Sequence, residues 1–247
     1  MTHPVFDVSG RTALVTGSTR GIGRTLAQGL HDAGAQVILH GRDEEAAERA
    51  ASELPGARHV AFDVADAGAV ARGVKAAGEL DILVNNAGIQ HREPLLDVPE
   101  EAWRRVLDTN LTGAFLVGRE VARGMVARGR GKIINVASLM SELARPGVGP
   151  YAAAKGGVKM LTRSMCAEWG PAGVQVNAIG PGYFATDLTR ALVEDEAFDT
   201  WVRGRAPAGR WGRVEDLIGA LLFLASPASD YVCGQVVYVD GGLTAVV

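Results

Sequence analysis

The sequence predicts an α/β fold, a Rossmann-like doubly wound domain on a seven-stranded parallel sheet. Two observations carry that prediction. Short runs rich in Val, Ile and Leu recur from end to end, with amphipathic Ala-rich stretches between them. A glycine-rich turn stands between the first apolar run and the first amphipathic stretch, where an open parallel sheet receives a dinucleotide.

The apolar runs are residues 12–16, 36–40, 58–62, 81–85, 132–136, 174–179 and 236–239. They are apolar at successive positions, as strands covered by helices on both faces must be. Helical periodicity fills 22–33, 43–54, 67–77 and 150–169, and the alternation calls for right-handed crossovers. Gly34 suits the end of the first helix. Pro99 before Glu100 and Glu101 marks another helix start, where a missing N–H costs little and acidic side chains suit the helix dipole. No linker, repeat or composition break divides the chain, so one domain is expected over residues 1–247. The least regular stretch, 180–211, holds Gly182, Gly204, Pro207 and Gly209 around a short helical segment and reads as a substrate lid.

Charge and composition exclude several classes. The net charge of −3 comes with no basic block or stripe, which argues against a nucleic-acid partner. The longest apolar run, 217–225, is far short of a membrane span. Residues 1–10 lack the basic and apolar regions of a secretory signal, so a soluble cytoplasmic protein is expected. Cys166 and Cys233 lie far apart in sequence and read as reduced thiols; no His/Cys cluster has metal-ligand spacing, so no metal is expected.

The glycine turn runs Thr16, Gly17, Ser18, Thr19, Arg20, Gly21, Ile22, Gly23. Its glycines permit a tight turn and close backbone approach to a pyrophosphate, whose charge the helix N-terminus favours. In a strand–turn–helix context the dinucleotide reading outweighs a purely structural turn. The second strand ends at His40, Gly41 and Arg42, with no carboxylate before Asp43. An acid at the strand end would accept from a ribose 2′-hydroxyl, whereas Arg20 and Arg42 could grip a 2′-phosphate. NADP(H) is therefore expected over NAD(H); the alternatives are that both arginines are only solvated while Asp43 caps the next helix, or that Asp43 turns into the ribose site and repels the phosphate.

Tyr151 and Lys155 stand four apart on one helical face. An ammonium near the phenol would lower its pKa toward working pH, suiting proton exchange with an alcohol or ketone during hydride transfer. Ser138 follows the fifth strand at its carboxyl end, where such sheets bind ligands. Asn110 follows a helix start, and Asn85, Asn86, Ala87 and Gly88 end the fourth strand.

Together, TGSTRGIG at 16–23, NNAG at 85–88, Asn110, Ser138, YAAAK at 151–155 and PGYFAT at 181–186 resemble the short-chain dehydrogenase/reductase family over nearly the whole chain. The resemblance implies that Tyr151 is the proton donor and acceptor and that Ser138 orients the substrate oxygen. It implies that Lys155 binds the nicotinamide ribose and tunes Tyr151, while Asn110 holds a water in a proton relay. Asp63 and Val64 would meet the adenine, and Asn86, Ala87 and Gly88 the adenosine side. Pro181, Gly182, Phe184 and Thr186 would meet the nicotinamide end. The resemblance also implies a homotetramer packed through helices around 111–128 and 150–169.

Within that family, VILHGRD at 37–43, NNAGIQHREPL at 85–95, ELARPGVGPY at 142–151 and RAPAGRWG at 205–212 are most similar to members that interconvert D-gluconate and 5-keto-D-gluconate. A small sugar acid is therefore the expected substrate, with Arg92 and Arg145 as candidate partners of its carboxylate. Reduction of a 3-oxoacyl group on a carrier protein, or of another small ketone, stays open. So does non-catalytic NADP(H) sensing on the same fold.

Overall fold

The computed structural model describes residues 3–186 and 189–246. Seven strands form one sheet: β1 (Thr12–Val15), β2 (Gln36–Gly41), β3 (Arg58–Ala61), β4 (Ile82–Asn85), β5 (Gly131–Val136), β6 (Val174–Pro181) and β7 (Val236–Val239). Their order is β3-β2-β1-β4-β5-β6-β7, and every neighbouring pair is parallel. The seven expected runs all become strands, with ends displaced by two residues at most.

Alternate side chains along the strands build two cores. Ala13, Val15, Val37, Leu39, Val84 and Ile134 point to one face, where α1 (Gly21–Asp32) and α9 (Ile218–Ala225) supply Leu26, Leu30, Leu221 and Leu224. Leu14, Ile38, Leu83, Ile133 and Val176 point to the other, against Val74 of α3 (Ala67–Ala77), Val117 and Met125 of α5 (Gly113–Arg128) and Met165 of α6 (Gly149–Trp169). The unbroken apolar character of each run follows from this two-sided burial.

Helix ends follow local chemistry. Asp43 accepts from the Ala46 amide at 2.7 Å and starts α2 (Glu44–Ser52), and Asp66 accepts from Gly68 and Ala69 to start α3. Gly34 takes φ +91° just past α1. Pro99 is the N-cap of α4 (Glu100–Leu107), and a π turn at Asp108–Thr112 carries that helix directly into α5. Asn110 therefore lies in a mid-helix π turn rather than just after a helix start; such turns recur at functional sites.

The 180–211 segment begins as the end of β6 and continues through α7 (Arg190–Val193) and α8 (Glu196–Arg205), with 187–188 outside the described residues. No helix among the described residues is long and apolar enough to cross a membrane. Cys166 and Cys233 are free thiols brought within interaction range of each other, and burial pushes the Cys166 thiol up to about 11.

Ile134, 0% exposed at the centre of β5, offers a direct test of this core. Ile134→Ala should lower unfolding free energy by about 2–5 kcal/mol, read as a reduced urea midpoint with unchanged m value.

Candidate active site at the carboxyl edge of the sheet

The glycine turn is held by close packing and by polar groups from neighbouring strands. Gly17 and Gly21 adopt φ of +62° and +56°, which favour glycine. A Cβ on Gly23 would come 2.3 Å from both the Asn86 amide nitrogen and the Gly17 carbonyl oxygen. Asn86 donates its side-chain amide to the Thr16 and Gly17 carbonyls at 2.9 and 3.0 Å. The Thr16 hydroxyl accepts from the Asn86 and Ala87 amides at 2.9 and 3.0 Å. These bonds tie the end of β1 to the end of β4, so the Asn86 side-chain amide braces the turn.

His40 is the brace that the sequence reading passed over. It is buried, and burial pushes its imidazole down to about 4, so the ring is neutral near pH 7. In the tautomer that fits both neighbours, Nε2–H donates to the Phe62 carbonyl at 3.0 Å and Nδ1 accepts from the Gly17 amide at 3.0 Å. Ser18 completes the lock: its amide donates to the His40 carbonyl, and its hydroxyl accepts from the His40 amide and donates to Val15. A histidine ending a strand beside a glycine turn was the available signal, but its partners are distant in sequence.

At the adenosine corner, Arg20 and Arg42 are exposed and make no side-chain hydrogen bond or ion pair with another described residue. Their loops adjoin: a Cβ on Gly41 would lie 2.9 Å from the Thr19 methyl. Asp43, the acid that could have entered the ribose site, caps α2 instead. Asp63 is exposed at the end of β3, its carboxylate accepting from the Ala65 amide, and Val64 is buried against α5 near Gly113.

The reacting groups converge beyond the ends of β4, β5 and β6. Ser138 follows β5 and accepts from the Met140 amide at 3.1 Å, while Tyr151 enters from the first turn of α6 and faces Ser138. Lys155, 4% exposed, donates from Nζ to the Val136 carbonyl at 2.5 Å, and its Nζ lies 5.6 Å from the Tyr151 ring centroid. Burial pushes the Lys155 ammonium down to about 8. It also raises the Tyr151 phenol, against which only Ser138 acts. This corrects the expectation that Lys155 lowers the phenol here: both groups are desolvated and the ammonium is engaged by a backbone carbonyl.

Asn110 donates its amide to the Ile89 and Val106 carbonyls, both at 2.8 Å, and accepts from the Ile89 amide at 3.1 Å. Its side-chain donors are thus occupied in fixing the loop after β4. A buried chain from Asn85 through Asn135 to Thr162, with links of 2.9 Å, fastens β4 and β5 to α6 and so fixes the helix bearing Tyr151 and Lys155. Asn135 and Thr162 gave no signal in sequence, since strand and helix interiors hold many such residues.

Ser138, Tyr151, Arg92, Arg145, Pro181 and Tyr183 line one cleft. Gly182, Phe184 and Thr186 line it too, with the largely buried Phe184 ring packed beneath Gly212. Arg92 donates to Gln90 at 2.8 Å, and both burial and the nearby Arg145 charge hold its guanidinium pKa below the usual value. Tyr183, absent from the sequence-derived set, faces both arginines. No His/Cys/Asp/Glu group among the described residues has the makings of a metal site.

Comparison with known proteins agrees with this geometry. A family model described as enoyl-(acyl carrier protein) reductase matches residues 17–244. The chain is 53% identical to gluconate 5-dehydrogenase of Gluconobacter oxydans (strain 621H), covering 99% of both chains. It is 48% identical to 5-keto-D-gluconate 5-reductase of Escherichia coli (strain K12), covering 99% of this chain and 100% of that one. A crystal structure of a gluconate 5-dehydrogenase from Burkholderia cenocepacia J2315, in complex with NADP and tartrate, superposes with TM-score 0.97 at 52% identity over 99% of each chain. The glycine turn, the Ser138–Tyr151–Lys155 cluster and these full-length matches make the chain a member of the short-chain dehydrogenase/reductase family.

Proposed function

We propose that this protein is an NADP(H)-dependent oxidoreductase that interconverts D-gluconate and 5-keto-D-gluconate. The observation carrying the proposal is that Ser138 and Tyr151 share their cleft with Arg92 and Arg145. A proton-transfer centre and a carboxylate-binding pair thus stand within reach of one small molecule. The relatives named for gluconate and its 5-keto form support the same substrate. Carrier-bound 3-oxoacyl reduction and non-catalytic sensing draw less support, because the reacting set is complete and the arginine pair suits a free carboxylate.

In this reading the nicotinamide accepts or returns the hydride when bound. Tyr151 takes the hydroxyl proton during alcohol oxidation and returns it to the carbonyl oxygen during reduction. Its raised pKa favours the neutral phenol, the form that donates. Ser138 orients the reacting oxygen, and Lys155 holds the nicotinamide ribose while its charge, when present, favours phenolate. Asn110 keeps the loop after β4 in register and offers its remaining acceptor capacity to a relay water. The glycine turn, with Ser18, Thr19 and Ile22, cradles the pyrophosphate; Asp63, Val64, Ala87 and Gly88 flank the adenosine. Pro181, Gly182, Phe184 and Thr186 approach the nicotinamide, with 180–211 as a lid on one catalytic domain.

Tyr151→Phe should reduce turnover by about 10²–10⁴-fold, while a fluorescence titration finds nearly unchanged affinity for the dinucleotide. Near-normal turnover in the folded variant would remove Tyr151 from the chemistry.

Arg20 and Arg42 are proposed to bind the adenosine 2′-phosphate. Charge-assisted contacts contribute about 1.5–3 kcal/mol each, so even one corresponds to roughly tenfold in affinity. kcat/KM should therefore be higher with NADP⁺ than with NAD⁺. Replacing both arginines by Ala should raise KM for NADP⁺ at least about tenfold and change that for NAD⁺ far less.

We also propose a cytoplasmic homotetramer assembled through α5 and α6. Support comes from Phe115 and Met160, 39% and 56% exposed on those helices, and from open space beside Gly156 that permits close helix approach. Light scattering at micromolar concentration should return the mass of four chains; a monomer would rule this assembly out.

A further inference from the structure

We infer that Phe198 is a positioning residue for carboxylate recognition, its ring holding the Arg145 guanidinium at the cleft. The inference rests on the proposal that Arg145 meets the substrate carboxylate, and it assigns to the lid the task of presenting that charge.

Arg145 lies in the loop before α6, and no acidic side chain among the described residues pairs with it. Its nearby charged neighbour is Arg92, which repels it. An arginine so placed would lower its energy by swinging into water. Instead its guanidinium carbon sits 5.2 Å from the centroid of the Phe198 ring, where the negative face of the ring attracts the cation. The guanidinium plane is held by the ring, while its edge donors face the Tyr183 hydroxyl and the cleft.

Phe198 is itself fixed from several sides. Asp195 caps α8 by accepting from the Phe198 amide at 3.1 Å. The Tyr183 ring meets Phe198 edge-on at 5.4 Å and 82°, and the Trp201 ring lies 5.4 Å away. Tyr183 in turn packs edge-on against Trp201 and Trp211, each at 5.8 Å. Trp211 donates from Nε1 to Asp199, the next residue after Phe198, at 2.7 Å, and Asp199 also pairs with Arg203. The aromatic cluster thus joins the segment after β6, the helix α8 and the 211 region into one support whose cleft-facing cation is Arg145. Such preorganisation raises affinity by lowering the ordering cost when the acid binds.

The test is steady-state kinetics on the intact enzyme with 5-keto-D-gluconate and NADPH. Phe198→Leu, which keeps apolar bulk and removes the ring face, should raise KM for the keto acid roughly three- to tenfold, the range expected from a cation–π contact. It should leave kcat and KM for NADPH within about twofold, and Phe198→Tyr should restore the keto-acid KM. Fluorinated phenylalanine at 198, which keeps the shape but drains the ring face, should reproduce the KM rise without disturbing folding. In an Arg145→Ala background, Phe198→Leu should add nothing. An equal loss in kcat and in NADPH binding, no effect of ring fluorination, or a full additional loss in the Arg145→Ala background would overturn the positioning role alone. An Arg145→Ala enzyme with unchanged keto-acid KM would overturn the carboxylate assignment beneath it.

Discussion

Two-sided burial of a parallel sheet is the constraint on which the rest of this structure depends. The inner strands are covered above and below, each connection crosses a face, and all seven carboxyl ends emerge along one edge. β1 pairs with both β2 and β4, and the chain's winding changes direction there. The crevice left at such a switch is where open α/β sheets bind ligands. The glycine turn after β1, Ser138 after β5 and the segment after β6 meet there because the sheet has no other place to put its outgoing loops.

Holding that edge requires burying polar groups, and several of them are paired across distant elements. His40 remains neutral between a carbonyl and an amide, and Asn86 satisfies two carbonyls of the turn. Asn85, Asn135 and Thr162 bridge strands to helix. An unpaired member of such a set would cost about 1–3 kcal/mol, so the network specifies the geometry of the turn and of α6 together. The same desolvation acts on Tyr151 and Lys155, raising the phenol pKa and lowering that of the ammonium, so that burial favours the neutral form of each.

Chemistry and recognition sit on different parts of the fold. Tyr151 and Lys155 ride a long helix fastened to the sheet, and Ser138 follows a central strand. Arg92 and Arg145 come from loops, and Arg145 is steadied by aromatic side chains from the segment after β6. Rigid elements hold the proposed proton-transfer groups while loops carry the proposed carboxylate-binding arginines, a division in which substrate preference can change without moving the former.

The sequence by itself determined the strands, most of the helices, the glycine turn and the Tyr151–Lys155 pair, because each is written in local spacing. Uninterrupted apolar runs, helical periodicity and positions four apart on a helix need no knowledge of the rest of the chain. It also supplied Arg20 and Arg42 as neighbours of the turn, but left Asp43 ambiguous until its carboxylate was found capping α2. Tertiary structure alone decided what depends on distant partners. It made His40 a brace for Gly17, made the Asn86 side-chain amide a brace of the same turn, and set Asn110 in a π turn. It also reversed the expected shift of Tyr151 and gathered Tyr183, Phe198, Trp201 and Trp211 around Arg145. Burial and long-range pairing set pKa values and side-chain direction, and neither has a local pattern from which it can be read.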